Sequence, residues 1–306
     1  MNGCDDLIDK ADLEVKKALE ELVVQVRQGN CILFLGAGIH APPPEDSGYS
    51  YPEEQRPPLG GNLTEKLAAE CDFNNKFPDE SPRDLQRVSL CFEYTPGLGR
   101  KSLVDSLDKH LRVGKKASPA IEMLARLPFK IIVTTNYDRL LESTLIKFDK
   151  DPDIIVYDPS PDRPTPDVAE DPTVERPLLF KIHGDLKERD SIVITDEDYI
   201  TFVQRMSDKD PYHPVPQTIR YRMQKWPTLF VGYSLRDYNL RLLFRTLRWR
   251  VDLANVPPSF SVDRNPDPLV LRVWQNERRF ITFLTQDLWV FMPWLHQEVV
   301  EEEYSA

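Results

Sequence analysis

The residues best suited to chemistry stand at the ends of four short apolar runs. CILFL breaks into GAGIH at 36–40, FKIIV into TTNYD at 134–138, PLLFKI into HGD at 183–185, and TLFV into GYSLRD at 232–237. Gly36 and Gly38, either side of Ala37, permit a tight turn and let backbone N–H groups approach a pyrophosphate that no side chain shields. The same pair also reads as an ordinary turn, because the third glycine of a dinucleotide fingerprint and an immediate helix are missing. In the second cluster the Asn136 amide can hold a sugar hydroxyl and a water, with Thr134 and Thr135 beside it. The Asp138 carboxylate can accept hydrogen bonds from a carboxamide, or cap the helix that follows. His183 ends a strand with Gly184 behind it, which leaves its imidazole free to face outwards. As general base for a sugar hydroxyl or a water, an imidazole that titrates near neutral pH contributes about 10²- to 10⁴-fold in rate; the alternative is a hydrogen-bonded structural histidine. Gly232 and Ser234 repeat the order strand, glycine, hydroxyl, helix, which serves a ribose or phosphate site, or plain N-capping. His110, His213 and His296 stand in less telling settings, whereas His40 follows the glycine turn directly.

These clusters converge only on one kind of scaffold. In a parallel sheet wound by helices the C-terminal strand ends share one edge, so residues from Gly36 to Asp237 would line a single crevice. The intervening pattern agrees. Leu19, Leu22, Val23 and Val26 share one face of an opening helix that Gly29 and Asn30 can terminate. Asn62 can cap a helix carrying Leu63 and Leu67, and helical patterns run through 83–93 and 102–111, making 60–127 a helical excursion between two strands. Beyond Val133 strands alternate with helices over 138–148, 196–206, 216–225 and 237–253. The segment 287–291, DLWVF, reads as a late strand before an acidic terminal helix. The expected fold is therefore α/β, a doubly wound Rossmann-like parallel sheet with an inserted helical subdomain, as one catalytic domain over 1–306. Two proline-rich stretches, 41–58 and 151–176, read as long loops at the rim of the crevice, and 255–268 as a third.

Composition narrows the function classes. With 306 residues, 41% of them apolar and 29% charged, the chain can bury a full core. A formal charge of −11 argues against a general phosphate-backbone binder, so nucleic acid is not an expected partner. Cys4, Cys31, Cys71 and Cys91 form no C-x-x-C pair, which disfavours a structural zinc site and a disulfide framework and fits the reducing cytoplasm. The first residues carry acids where a signal peptide carries bases, and no run of eighteen apolar residues marks a membrane span.

Taken together the motifs resemble the silent-information-regulator family, the sirtuins, and within it the divergent NAD-consuming branch found in bacterial anti-phage defence. The matching pieces are GAG at 36–38, TTNYD at 134–138, IHG at 182–184, SIVITDEDY at 191–199 and LFVGYSLRD at 229–237, in the same order and spacing. PPLGGNLTEKL resembles the segment that normally follows the glycine turn closely, which makes 41–56 an insertion and a candidate lid whose deletion would raise basal turnover. The resemblance implies NAD as substrate, with Gly36, Ala37 and Gly38 at the pyrophosphate and Thr135 in the neighbouring turn. It places Asn136 and Asp138 at the nicotinamide ribose and carboxamide, makes His183 the base, and sets Gly232 and Ser234 towards the adenosine half.

Two departures shape the expected chemistry. The paired cysteines of the family's zinc module are absent, which favours NAD hydrolysis to nicotinamide and ADP-ribose over acyl-lysine removal, and no zinc or other metal is expected. His40 stands where the family usually has serine. An ungoverned NAD hydrolase would drain its own cell, so the resemblance implies control by a homo-oligomer, a regulatory protein partner or another trigger. The basic stripe Arg241, Arg245 and Arg248 on the 237–253 helix is either a solvated face or such a contact. A zinc-free deacylase or ADP-ribosyltransferase, and a module that binds NAD or ADP-ribose without turnover, remain the alternatives.

Overall fold

The computed structural model describes residues 13–233, 235, 257–274 and 281–300. Ser234 and the 237–253 segment with its arginine stripe lie outside these residues. Seven four-residue strands form one parallel sheet: β1 Ile32–Leu35, β2 Ile131–Thr134, β3 Asp153–Val156, β4 Leu178–Lys181, β5 Thr228–Val231, β6 Ser259–Val262 and β7 Ile281–Leu284, in the order β3-β4-β2-β1-β5-β6-β7. This is the Rossmann-like α/β architecture. β1, β2, β4 and β5 are buried along their whole length, as strands covered by helices on both faces must be.

Register does the positioning. Leu35 pairs with Thr134 on one side and Val231 on the other, and Thr134 pairs with Lys181. The four chemical clusters therefore leave the sheet from one level row. The chain builds β2, β3 and β4 on one side of β1, then crosses to β5 on the other, so the strand order reverses beside β1. A crevice opens at such a reversal because adjoining loops diverge to opposite faces.

Two apolar layers sandwich the sheet. One contains α1 Leu13–Arg27, α6 Pro119–Arg126 and the late helix α11 Leu288–Val300; the other includes α8 Asp196–Arg205, α9 Gln217–Met223 and α10 Pro268–Trp274. A third cluster belongs to α2 Gly60–Glu70, α3 Phe73–Lys76, α4 Leu85–Tyr94 and α5 Gly99–Leu111, which share Leu67, Phe73, Phe92 and Leu107. Its core runs on into Tyr137, Ile192 and Ile194, so the helical excursion packs directly on the TTNYD turn and the segment after HGD. Arg100 fastens that seam, 2.8 Å from Asp198 at the start of α8. The last helix of the excursion, α6, packs in the sheet's own core instead.

Several boundaries differ from the sequence expectation. Segment 287–291 is not a strand: Asp287 accepts the Trp289 amide at 2.8 Å and starts α11, whose Trp289, Phe291, Met292, Trp294 and Leu295 are all buried. An all-round apolar helix and a buried strand have the same short-range pattern, and length decides between them. β6 lies inside the supposed loop 255–268, disguised by Ser259 and Ser261, which are fully buried. β3 lies inside 151–176 as an edge strand whose partly exposed residues weaken its apolar signal. Asn62 sits within α2 and does not cap it. The helix expected from Asp138 is α7 Leu140–Lys147, because Asp138 remains outside it and accepts the Leu140 amide at 2.9 Å.

At the reversal two glycine turns interlock. The Gly38 amide donates to the Gly232 carbonyl at 2.7 Å, and a Cβ on Gly38 would sit 2.7 Å from that oxygen. Gly232 has φ +65, and its own Cβ would meet Gly38 C at 2.7 Å. Gly232→Ala should thus cost clearly more than the roughly 1 kcal/mol of a left-handed alanine alone. Gly114→Ala is the control, at φ +72 with nothing within 4 Å. Equal losses of stability in urea for the two variants would count against the interlock.

Candidate active site

A cleft of ≈ 690 Å³ opens along the C-terminal edge of the sheet. Ala37, Gly38, Thr135, Asn136, Asp138, His183 and Gly232 all line it, so residues almost two hundred positions apart share one space. Gly36 does not reach the cleft wall. Its amide donates to Val231 O at 3.0 Å and the Gly38 amide is committed to Gly232, so these glycines serve the close approach of the two turns.

The TTNYD turn is held from beneath. The Thr134 hydroxyl and the Thr135 amide both donate to Leu35 O, at 3.1 and 3.2 Å, and the Asn136 amide donates to Thr134 Oγ1 at 3.1 Å. With its backbone fixed, Asn136 leaves its buried side-chain Oδ1 without a hydrogen-bond partner. A buried amide oxygen with no partner costs about 1–3 kcal/mol, which a ligand hydroxyl or water would recover. Asp138 accepts the Leu140 amide at the start of α7 and lines the cleft. Burial raises its carboxyl, but the His40 side chain 3.5 Å away, the Lys181 charge and the Leu140 amide outweigh that and hold it below the usual carboxylate range.

His183 is 7% exposed, and its ring lies edge-on to Tyr199 and Phe202 with centroids at 5.3 and 5.7 Å. Its Nδ1 is 3.4 Å from the Tyr199 hydroxyl. Gly184 follows at φ +92, where any Cβ would run into the Ser191 backbone, so the tight turn behind the histidine requires glycine. The His183 carbonyl accepts the Val193 amide at 3.0 Å, which fixes the residue from its backbone as well.

Beneath both turns lies a charge cluster that the sequence did not disclose as functional. Lys181, the last residue of β4, is 0% exposed, and its Nζ lies 2.7 Å from Glu142 Oε1 and 2.9 Å from Asp185 Oδ2. It also donates to the Tyr137 carbonyl at 3.4 Å and to that of Asp138. One ammonium therefore ties the TTNYD turn, the first turn of α7 and the HGD turn together. Burial raises the Glu142 carboxyl despite the Lys181 charge. The signal was a lysine closing an otherwise apolar run, four residues ahead of an aspartate.

The site extends beyond the expected set. Tyr233 and Tyr199 line it, as do Asp263, Arg264, Asp287 and Trp289 from the ends of β6 and the start of α11. The proline-rich stretch contributes Ala41, Pro42, Pro57 and Pro58. Among the described residues no group of three or more His, Cys, Asp or Glu could hold a metal ion, and no helix is long and apolar enough to cross a membrane.

Comparison with known proteins bears on these same motifs. A family model described as SIR2-like domain matches residues 130–283. The "NAD(+) hydrolase ThsA" of Enterococcus faecium is 26% identical over 259 residues, covering 82% of this chain and 47% of that protein. The "Defense-associated sirtuin 2" of Bacillus subtilis is 23% identical over 261 residues, covering 84% of this chain and 23% of that protein. A second "NAD(+) hydrolase ThsA", from Acinetobacter baumannii, is 26% identical over 238 residues, with 77% and 42% covered. The chain thus spans less than half the length of these curated relatives.

Lys181→Met would keep the bulk of the side chain, strand Glu142 as an unpaired buried carboxylate and leave Asp185 with only the Arg139 charge, 3.9 Å away. We expect a loss of about 3–5 kcal/mol in chemical denaturation, partly restored when Glu142→Gln is added. A loss below about 1 kcal/mol would show that the cluster does not hold the turns together.

Proposed function

We infer the function from one premise: the chain belongs to the SIR2-like domain family. On that premise we read it as an NAD hydrolase, which breaks the bond between nicotinamide and ribose to give nicotinamide and ADP-ribose. One observation carries the reading. Asn136, whose buried Oδ1 has no hydrogen-bond partner, and His183 follow different strands and line the same cleft. The volume supports a ligand of this size, since small-molecule and cofactor sites run to about 300–1,000 Å³.

In this reading NAD is the substrate, with its nicotinamide ribose between the Asn136 and His183 turns and its remaining length along the interlocked glycine turns towards β5 and β6. The glycosidic C–N bond breaks with its electron pair leaving on nicotinamide, and positive charge builds on the ribose anomeric carbon. Asn136 orients the ribose or the attacking water through its amide. Water forms the new C–O bond and its proton passes to His183, an imidazole at the cleft wall with a fixed backbone. The Asp138 carboxylate, held ionised at the cleft wall, stabilises the developing positive charge. Thr135, Ala37, Gly38, Gly232 and Ser234 are assigned to the binding of the dinucleotide, and no metal takes part.

The wider setting is also a proposal. Relatives named as NAD hydrolases and as a defence-associated sirtuin support a role in anti-phage defence, with NAD loss released by a trigger. We place the protein in the cytoplasm, governed by a homo-oligomer or a regulatory partner.

Purified protein, alone and with its genomic neighbour products, should release nicotinamide from NAD without an added acceptor. His183→Ala and Asn136→Ala should each lower that release by at least about 10²-fold while leaving the thermal melting profile intact. NAD consumption that requires an acyl-peptide or protein acceptor would mark a transferase or deacylase instead, and binding with no turnover in any condition would refute the enzyme.

A further inference from the structure

His40 has no part in the mechanism above, yet it is 2% exposed and reaches the cleft. Its Nδ1 lies 3.1 Å from the Tyr51 hydroxyl, and that hydroxyl donates its proton to Lys116 O at 2.9 Å. A phenol has one proton to give. With it committed to a carbonyl, Tyr51 can only accept from the ring, so Nδ1 carries hydrogen; Nε2 stands 3.5 Å from Asp138 Oδ2, a contact that attracts the carboxylate when Nε2 carries hydrogen too, as in the imidazolium. Burial, reinforced by the Asp138 charge, pushes the Tyr51 phenol up, so its proton stays in place. Asp138 is thereby met from two sides, by a hydrogen bond from the Leu140 amide on Oδ1 and by the ion-pair approach of the protonated His40 ring on Oδ2.

Tyr51 comes from the proline-rich stretch, and that stretch is anchored rather than loose. The Lys116 amide donates to Gln55 O at 2.9 Å and the Lys115 ammonium to Glu54 O at 3.1 Å. Two residues before Tyr51, Tyr49 packs on Trp289 of α11 with ring centroids 5.3 Å apart. The alternation of Tyr49 and Tyr51 thus fixes the stretch at two places along the cleft. Ser118, just beyond Lys116, donates to Ile39 O at 2.9 Å and ties the same support to the glycine turn.

We propose that His40 is a positioning residue for Asp138, oriented by Tyr51, and that the 41–58 stretch is a strut of the active site. The proposal rests on the hydrolase reading, in which Asp138 faces the nicotinamide end of the substrate. A strut and a lid predict opposite signs: removing a lid raises turnover, whereas removing a strut lets the carboxylate swing and lowers it.

The test uses the full chain and measures nicotinamide release from NAD for His40→Ala, His40→Gln and Tyr51→Phe. His40→Ala should lower kcat and kcat/KM together by up to about 10²-fold, the scale of a misplacement near 1 Å. His40→Gln, whose amide N–H can still reach Asp138, should recover part of the loss, and Tyr51→Phe should fall between Gln and wild type. Nitrogen-15 spectra of the histidine rings, taken without NAD, should show hydrogen on Nδ1 of His40 and a shift of that signal in both Tyr51→Phe and Asp138→Asn. Unchanged kcat in a folded His40→Ala protein, or faster turnover in Tyr51→Phe, overturns the strut. If wild type never releases nicotinamide, the hydrolase reading fails, and the ring spectra still decide the geometry: an unmoved His40 signal in both variants overturns it.

Discussion

A buried ammonium is the constraint around which the site is organised. Lys181 ends strand β4 with no exposed surface, where an unpaired charge would cost several kcal/mol. Its partners must therefore come to it. They are Glu142 from α7, Asp185 from the HGD turn and two carbonyls of the TTNYD turn. The turns bearing Asn136 and His183 are consequently locked to one atom and hence to each other, and Tyr137 adds a second tie by donating to Val193 O at 2.8 Å. Arg139, with Nε 3.9 Å from Asp185, closes the cluster on its half-exposed side.

Backbone packing plays the equivalent role across the strand reversal. The glycine turns after β1 and β5 approach so closely that any side chain at Gly38 or Gly232 meets backbone atoms. Such contact removes bulk from the one place where an extended ligand would have to cross from the β2 side to the β5 side. The helical excursion and the proline-rich stretch then attach to this floor at the TTNYD turn, at α8 and at α11. These insertions therefore form the walls of the cleft while the sheet remains a plain parallel one.

Sequence reading reached the scaffold and the four strand-end clusters because both depend on local patterns: short apolar runs, and glycines or amides at their ends. It placed Asn136, Asp138 and His183 correctly on one edge, since register follows once the strands are parallel. It missed what depends on partners distant in the chain. β6 was hidden because Ser259 and Ser261 are buried in a sheet interior, and α11 because an all-apolar helix has no stripe to betray its period. Lys181 and Tyr51 take their meaning from contacts with residues 39 and 65 positions away, Glu142 and Lys116, which no local pattern displays.

The charges of the site form a pattern that a pairwise inventory hides. Three carboxylates, Glu142, Asp185 and Asp138, gather around one ammonium, an arrangement of like charges that calls for a cation among them. Lys181 absorbs Glu142 and Asp185 in the interior, and burial still leaves the Glu142 carboxyl raised. Asp138 alone turns to the cleft, and it alone of the two shifted carboxyls is lowered, with His40 and Lys181 opposing its burial. The protein therefore keeps one ionised carboxylate, fixed in place, at the cleft wall near Asn136. For a reaction that creates a cation on a sugar, this oriented charge gives a transition-state stabilisation that water could supply only by reorganising.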